Sequence, residues 1–590
     1  MVLPRRFWYH YGVMGKSHHK ATEPGIGPAA EPPLVIRPAY TTLFTVTALL
    51  VLTALAYVPA ARCGYIWDDE QYVVDNTTLR SLAGLKQIWL DPKATPQYYP
   101  MVHTTYWLEY HIWQLDPAGY HVVNIALHAI AAILLWRILV FLNIPAAALA
   151  AAIFAIHPVH VESVAWITER KNVLSGVFYL AAALVYLRWA LGAKRLPRKK
   201  HIAVYVAALV LFVFALLSKT VTSTLPAVLL LILWWKRDRL VGKDVLSLAP
   251  FFALGITFGI ITAVLERSHV GAIGEEFQLS VIQRCLIAGR VPWFYMSKLL
   301  WPAKLAFTYP RWSVDAAVLW QYIFPAATIG AVIVLWFGRR RIGKGPLVAV
   351  LFFIGTLFPA LGFFNVYPFR FSFVADHFQY LASIGPITLA AAAGYVLWRR
   401  LDEDTKSVAA ICLAGVLAVF VAISARQCRA YTNLETLWRD TINKNPKAWL
   451  AQNNLGTLLT RKGELNEALE HYRAAVDINP RYVEAVNNLG WALATHPDPN
   501  LRDPREAVAL ARRAGDLLGQ LNGYILDTMA AGYAGMGEFE KAAKLAKLAR
   551  HVGCPVSTEQ WSKKVTSRIE LYEQKKPYIA KMAPALSVDE

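Results

Sequence analysis

Residues 41–61 read TTLFTVTALLVLTALAYVPAA, and Trp67-Asp68-Asp69-Glu70 follows a few positions later. The first stretch carries no charge and has the length, about 20 residues, that a helix needs to cross hydrocarbon. Three consecutive carboxylates are costly in that phase unless they are paired. The junction therefore marks a membrane exit. A span ends near residue 61, and the acids stand at a wet interface from which they can still reach a membrane-level cleft. Such a place suits a general base; it equally suits a solvated loop that only terminates the span.

The pattern then repeats. Apolar stretches lie at about 41–61, 119–141, 145–157, 172–191, 202–217, 221–235, 247–265, 318–337, 346–363, 378–398 and 407–425, while residues beyond about 430 have an ordinary soluble composition. The chain of 590 residues, 56% hydrophobic with mean hydropathy +0.36, is thus a mixture of two parts. The expected fold is all-α: a polytopic membrane helical bundle of about 11 spans, then an α-solenoid. Five cysteines, at 63, 285, 412, 428 and 554, show no paired spacing. Neither a zinc site nor a disulfide framework is expected from them.

The net charge of +20 would suit a nucleic-acid partner. Much of the excess, however, sits in short loops between apolar stretches, which is the positive-inside pattern, and no nucleic acid is expected. Lys194, Arg195, Arg198, Lys199 and Lys200 follow the fourth span, Lys236, Arg237 and Arg239 the sixth, Arg339–Arg341 the eighth, and Arg399 and Arg400 the tenth. Placing all four clusters in the cytoplasm puts 62–118, 158–171, 364–377 and the soluble part outside, with 1–39 as a cytoplasmic tail. Arg5, Arg6 and the Pro-rich 22–38 make that tail too long and polar for a cleaved signal peptide. Residues 281–301 are apolar but interrupted by Arg284, Arg290 and Lys298, and read as a re-entrant or interfacial segment. The long loop 62–118, rich in Trp, Tyr and Pro, is expected to form short helices lying on the membrane.

The soluble part carries an internal repeat. Asn453-Asn454-Leu455-Gly456 recurs as Asn487-Asn488-Leu489-Gly490, 34 positions on, and Pro446 recurs as Pro480 at the same offset. That is the tetratricopeptide period. Leu455, Gly456, Gly463, Ala468, Tyr472, Ala475 and Pro480 fit its spacings, and a third unit fits through Tyr533, Gly537, Ala542 and Ala549. The second unit carries an insertion around Pro497–Pro504. About three repeats over 440–552 are expected, with a tail at 553–590. Such an array has a concave face, normally a binding surface; a spacer is the alternative.

Four polar clusters fall on the outer face. The first is Asp68, Asp69 and Glu70. The second is His157-Pro158-Val159-His160-Val161-Glu162, followed by Glu169-Arg170-Lys171-Asn172. The His-x-x-His-x-Glu run resembles a metal-ligand set, or equally caps a helix. Arg170 and Lys171 suit a phosphate, or ordinary interfacial snorkelling. Lys219 lies at a tight turn between two spans, and Arg370, Asp376, His377 and Tyr380 precede the tenth. Ionisable groups gathered at one face and flanked by apolar helices point to an outer cavity.

The order of these elements, from WDDE after the first span through HPVHVESVAWITERKNVL and VADHFQYLASIG to the repeats, resembles the transmembrane and tetratricopeptide-repeat protein O-mannosyltransferases and their bacterial relatives, in the GT-C superfamily. The resemblance covers about 40–551, with a GT-C-like membrane domain at 40–430. It implies a polyprenyl-phosphate sugar donor and an acidic residue in the first external loop, a role falling on Asp69 or Asp68. Arg170, Lys171, Lys219 and Arg370 are then candidates for the donor phosphate. Glu70, His157, His160, Glu162, Asp376 and His377 are candidates for acceptor binding or structure. His377 stands where the family more usually has Arg.

The expected activity is transfer of a hexose, mannose or another, to a hydroxyl acceptor, normally protein, contacted by the repeats. The expected location is a bacterial inner membrane, multi-pass and in contact with lipid, with the repeats on the periplasmic or luminal side. No cofactor is implied, and a divalent metal stays open. The rivals are a non-enzymatic scaffold for envelope or secretion assembly and a lipid-linked-sugar transporter. A transporter would place its ionisable groups near mid-membrane in broken helices.

Overall fold

The computed structural model describes residues 38–192, 197–237, 239–266, 274, 277–553 and 559–581. Most of the expected cytoplasmic tail, Lys194, Arg195, Cys554 and residues 582–590 lie outside the described residues. The chain divides into two compact units, Met1–Thr45 and Val46–Glu590. Of the first, only the opening of a helix from Pro38 is described; the rest concerns the second. Every regular element among the described residues is helical.

Each expected apolar stretch lies on a helix. Among the described residues seven helices are long and apolar enough to cross a membrane: Tyr40–Arg62, Pro117–Phe141, Ile167–Leu191, Arg198–Ser218, Gly242–Leu265, Leu319–Ile342 and Glu403–Tyr431. The pair Ala147–Ile156 and Pro158–Ala165, bent by 53°, makes an eighth if it is one span. Thr220–Lys236, Gly345–Ala360 and Ile384–Trp398 are shorter apolar helices. Pro346 and Pro386 stand in the first turns of the last two, and Pro226 in the first turn of Leu225–Lys236, the α-helical part of the first, where a missing N–H is tolerated and the helix is made to begin. The expected count of about 11 spans thus corresponds to 7 or 8 helices of full spanning length plus shorter ones.

Ile323, Ile329, Val334 and Phe337 on one long helix, and Ile411, Val416 and Val419 on another, stand exposed. Apolar surface on that scale suits lipid, not water. This is a membrane protein.

Residues Val281–Leu300 form a helix opened by a Ser280–Gln283 capping box. Its three cations have protein partners. Arg284 donates to Gly362 O at 2.9 Å and Asn365 Oδ1 at 2.8 Å, Arg290 lies 4.3 Å over the Trp312 ring, and Lys298 donates to Ala303 O at 2.8 Å. The loop 62–118 forms short helical pieces, including Leu82–Leu90 and Pro100–Trp113.

Helix Leu434–Lys444 leads into three helix pairs: Trp449–Lys462 with Leu465–Ile478, Val483–Thr495 with Pro504–Leu518, and Gly523–Gly535 with Phe539–Val552. The expected insertion is the longer connection before Pro504 in the second pair. Gly456 is required by close approach, since a Cβ there would stand 2.9 Å from the Tyr472 ring. Gly463, at φ +81°, ends the first helix in the left-handed region.

The array is fastened to loops of the membrane part. Gly64 N–H donates to Thr432 O at 2.9 Å, Lys444 Nζ to Leu305 O at 2.7 Å, and Asn445 Nδ2 to Thr308 O at 3.0 Å. Trp438, Phe307 and Trp67 meet edge to face.

Candidate functional site

The acids open the site. Trp67 sits at φ +48°, a region bulky residues rarely occupy, at a cost of about 1–3 kcal/mol. Its ring is held 4.8 Å from Trp438, which is itself buried. This bend sends the next two carboxylates to different surroundings. Asp69 is fully buried. Its Oδ2 accepts the Ile66 N–H at 2.9 Å, and its Oδ1 accepts the Thr168 N–H at 2.8 Å and hydroxyl at 2.5 Å. Both oxygens are thus tied to the chain, and burial pushes its pKa up to about 7. Asp68 is half-buried. Burial, aided by the repulsion of Glu169, raises its pKa to about 6 against the lowering pull of Lys171 and His377. Glu70 is exposed and points to no partner in this group.

Behind Asp68 lies a buried cluster. Glu169 Oε1 is 3.1 Å from Lys171 Nζ, and its Oε2 is 3.2 Å from Lys219 Nζ. Lys219 also donates to Asn172 Oδ1 at 2.8 Å, and Asn172 Nδ2 donates to His377 O at 2.9 Å and Ser163 Oγ at 3.1 Å. Burial lowers the Lys219 pKa to about 8, with Glu169 opposing. Glu162 accepts the His377 N–H at 2.9 Å and faces His377 Nδ1 at 3.1 Å. His377 Nε2 is 4.0 Å from Glu169. Glu169 Oε1 and His377 Nδ1 meet these charged neighbours in distance but lack an aligned hydrogen bond. Asp376 accepts from Tyr309 at 2.9 Å, and burial together with Glu162 holds its carboxyl well above the usual range. Lys171 Nζ lies 5.5 Å from the Tyr72 ring and 5.7 Å from that of Trp166.

Residues far apart in sequence therefore converge: Asp68, Glu162, Glu169, Lys171, Lys219 and His377. Four others do not join them. Arg170, expected to meet a phosphate, is 0% exposed and has its donors engaged by the protein. Nε goes to Asn124, Nη1 to Thr105 and Glu109, and Nη2 to Glu109 at 3.1 Å and Tyr120 O at 2.8 Å. A phosphate would have to displace Glu109. Arg370 lies 5.8 Å over Tyr482, where the repeats meet the loop 364–377. His157 and His160 point away from each other's partners. His157 Nε2 is 3.0 Å from Leu299 O, while His160 contacts Phe154 O at 2.8 Å and Ser383 Oγ at 2.9 Å. His157, His160 and Glu162 do not converge as a ligand set, and no group of three or more His, Cys, Asp and Glu among the described residues does.

Glu169 and Glu109 carry weight the sequence did not assign them. Glu169 stood in the quoted run, but one carboxylate shared by two lysines is visible only once Lys219 is folded onto it. Glu109 sits in an aromatic loop with no pattern to mark it.

The fold and cluster define a class: a polytopic membrane protein with a polar site beside its spans and a helical repeat array docked over it. A tetratricopeptide-repeat family model matches residues 456–496. The chain is 24% identical over 530 residues to protein O-mannosyl-transferase TMTC3 of Mus musculus, covering 81% of this chain and 55% of that protein. It is 24% identical over 463 residues to protein O-mannosyl-transferase F38B6.6 of Caenorhabditis elegans, covering 74% and 63%. It is 25% identical over 506 residues to protein O-mannosyl-transferase TMTC1 of Homo sapiens, covering 74% and 55%. The chain is similar to these proteins, as its motifs are to their family, and spans a little over half to under two thirds of their length. The crystal structure of yeast Tom70 matches at 12% identity over 69% of this chain and 92% of that one, with a TM-score of 0.21, too loose a superposition to bear on the fold.

Proposed function

We propose that the chain is a membrane glycosyltransferase. It moves a hexose, normally mannose, from a polyprenyl-phosphate donor to a hydroxyl of a protein acceptor on the non-cytoplasmic side of the membrane. Residues 40–430 carry out the transfer and 440–552 hold the acceptor. The observation that carries this reading is a half-buried Asp68 beside two lysines that share one buried glutamate. The names of the relatives support it.

Asp68, rather than Asp69, takes the acceptor's hydroxyl proton as that oxygen bonds to the anomeric carbon. The bond from that carbon to the phosphate oxygen breaks, its electron pair stays on the polyprenyl phosphate, and the configuration inverts. A carboxylate with a pKa near 6 is a stronger base than an ordinary one, yet is ionised at neutral pH. Lys171, with Lys219 behind it, offsets the charge on the departing phosphate. That leaving group needs no proton. Glu169 keeps both lysines charged and aimed, and Glu162 orients His377 beside them.

The test is incubation of membranes with radiolabelled polyprenyl-phosphate mannose, followed by separation of labelled protein from lipid. Label should pass to protein in the parent chain and not in Asp68→Asn. Transfer at the parent rate in that variant removes the assignment. A reporter active only outside the cytoplasm, fused after residue 581, should be active, and one fused within 197–200 silent; the reverse pattern overturns the orientation.

A further inference from the structure

In tetratricopeptide register the first helix of each pair lines the concave side. Asn453 and Asn487 are equivalent there, 34 residues apart; Asp527 lies ten residues before Gly537 as Asn453 lies ten before Gly463. At the first position Asn453 belongs to an amide row, in which Asn488 Nδ2 donates to Asn453 Oδ1 at 3.0 Å and Asn453 Nδ2 to Asn454 Oδ1 at 3.2 Å. In the third, Asp527 takes a bidentate pair from Arg568, at 3.0 and 2.5 Å. Arg568 belongs to helix Glu559–Glu573, beyond the last pair, and is itself buried.

The chain then turns back. Lys575 adopts φ +56°, and the following residues run to the second pair. Ala580 N–H donates to Thr495 O at 2.8 Å. The Tyr578 ring lies 5.8 Å from that of Trp491 at an interplanar angle of 37°. The Arg568 guanidinium stands 5.0 Å from the Trp491 ring and 5.5 Å from the Tyr578 ring. Tyr578, Ile579 and Ala580 are half-buried, while Lys575, Lys576 and Pro577 are exposed. One main-chain bond and one anchored aromatic side chain are the footprint of an extended peptide on a receptor.

The fit is incomplete. Asn487, Trp491 and Thr495 are spaced four apart and so share one face of helix Val483–Thr495. Asn487 Oδ1, two turns from the Ala580 contact, is buried without a hydrogen-bond partner, as is the hydroxyl of the nearby Tyr572. A buried acceptor left unmet is unfavourable, so a segment that also donates to it would make a bond that residues 574–581 do not.

We propose that the face formed by Asn487, Trp491 and Thr495, closed on one side by Arg568, is a binding site for an extended peptide segment presenting an aromatic side chain. Residues 574–581 are its resident occupant. This binding is read without any sugar transfer, so it stands or falls apart from the chemistry assigned to the membrane half.

The test titrates the full chain in detergent against a fluorescein-labelled peptide QKKPYIAK, the sequence of 574–581, by fluorescence anisotropy. Tyr578→Ala and a chain truncated after Glu573 are measured beside it. An occupied site is only fractionally available, which weakens apparent affinity by that fraction. Both opened forms should bind at least roughly tenfold tighter than the intact chain. Adding Trp491→Ala to either should abolish the gain, and a peptide with alanine in place of its tyrosine should not bind. Equal binding by intact and opened chains, binding that survives Trp491→Ala, or no binding by any form overturns the proposal. If Tyr578→Ala aggregates, the truncated chain, which keeps the Arg568–Asp527 pair, decides alone.

Discussion

Two neighbouring regions use the same residue types to opposite ends. The side chains of Asp69 and Arg170 have their own polar atoms answered by the protein: Thr168 and Ile66 on the acid, Glu109, Asn124, Thr105 and Tyr120 on the guanidinium. Around Asp68 and Lys171, one residue away in each case, the charges are ion-paired by distance, with Glu169 Oε1 and His377 Nδ1 short of an aligned bond. A satisfied network fixes a structure; an under-satisfied one retains capacity for a ligand. Burial alone does not separate the two, since Glu169 is as buried as Arg170. What separates them is whether the donors and acceptors are all used.

The contrast breaks most sharply at Asp68. Asp68→Asn should lower transfer by about 10²–10⁴-fold, the usual worth of a general base, with thermal unfolding in detergent unchanged. Arg170→Met should act the other way, costing about 3–5 kcal/mol of stability because Glu109 is left buried and unpaired. Its melting curve should partly recover on adding Glu109→Gln. Asp69→Asn falls between them. Its amide presents N–H to the Ile66 donor, so about 1–3 kcal/mol of stability should be lost, and activity should follow the folded fraction measured by size exclusion. Lys171→Gln removes one charge-assisted contact, worth about 1.5–3 kcal/mol, and should appear as a raised donor KM, with a smaller stability loss than Arg170→Met because Glu169 keeps Lys219.

The smallest effect is the pH profile. Because burial raises the Asp68 pKa, its carboxyl is half ionised at about 6 and becomes fully ionised only above that value. Transfer should therefore rise with pH through that value and then level off, and the limb should be missing from the residual activity of Asp68→Asn. A limb that persists in the variant assigns the titration to another group.

The repeats and the membrane helices were legible because both are periodic: a 34-residue recurrence and apolar runs of spanning length. The polar clusters were legible as clusters, because charge beside a span needs a reason. Their internal division was not. Adjacent residues on a turn diverge by backbone angle, and the φ of +48° at Trp67 that parts Asp68 from Asp69 has no sequence signature in a tryptophan. Arg170 and Lys171 part for a related reason. Successive residues on a helix point about 100° apart, so one meets Glu109 and the other Glu169. Arg370 was read by proximity in sequence to Asp376, but the intervening turns carry it to Tyr482 instead.

The docking of helix Leu434–Lys444 bears on how such proteins can be recombined. Composition places the joint between membrane and soluble parts near residue 430. The contacts of Trp438, Lys444 and Asn445 with Trp67, Leu305 and Thr308 make that helix a piece of the membrane half's architecture. A chimera that grafts a foreign repeat array at 430 would exchange the wedge that holds the Trp67 turn along with the binding groove. A graft point after Asn445 keeps that wedge and exchanges the contacts that Trp449 and Tyr482 make with Phe371 and Arg370.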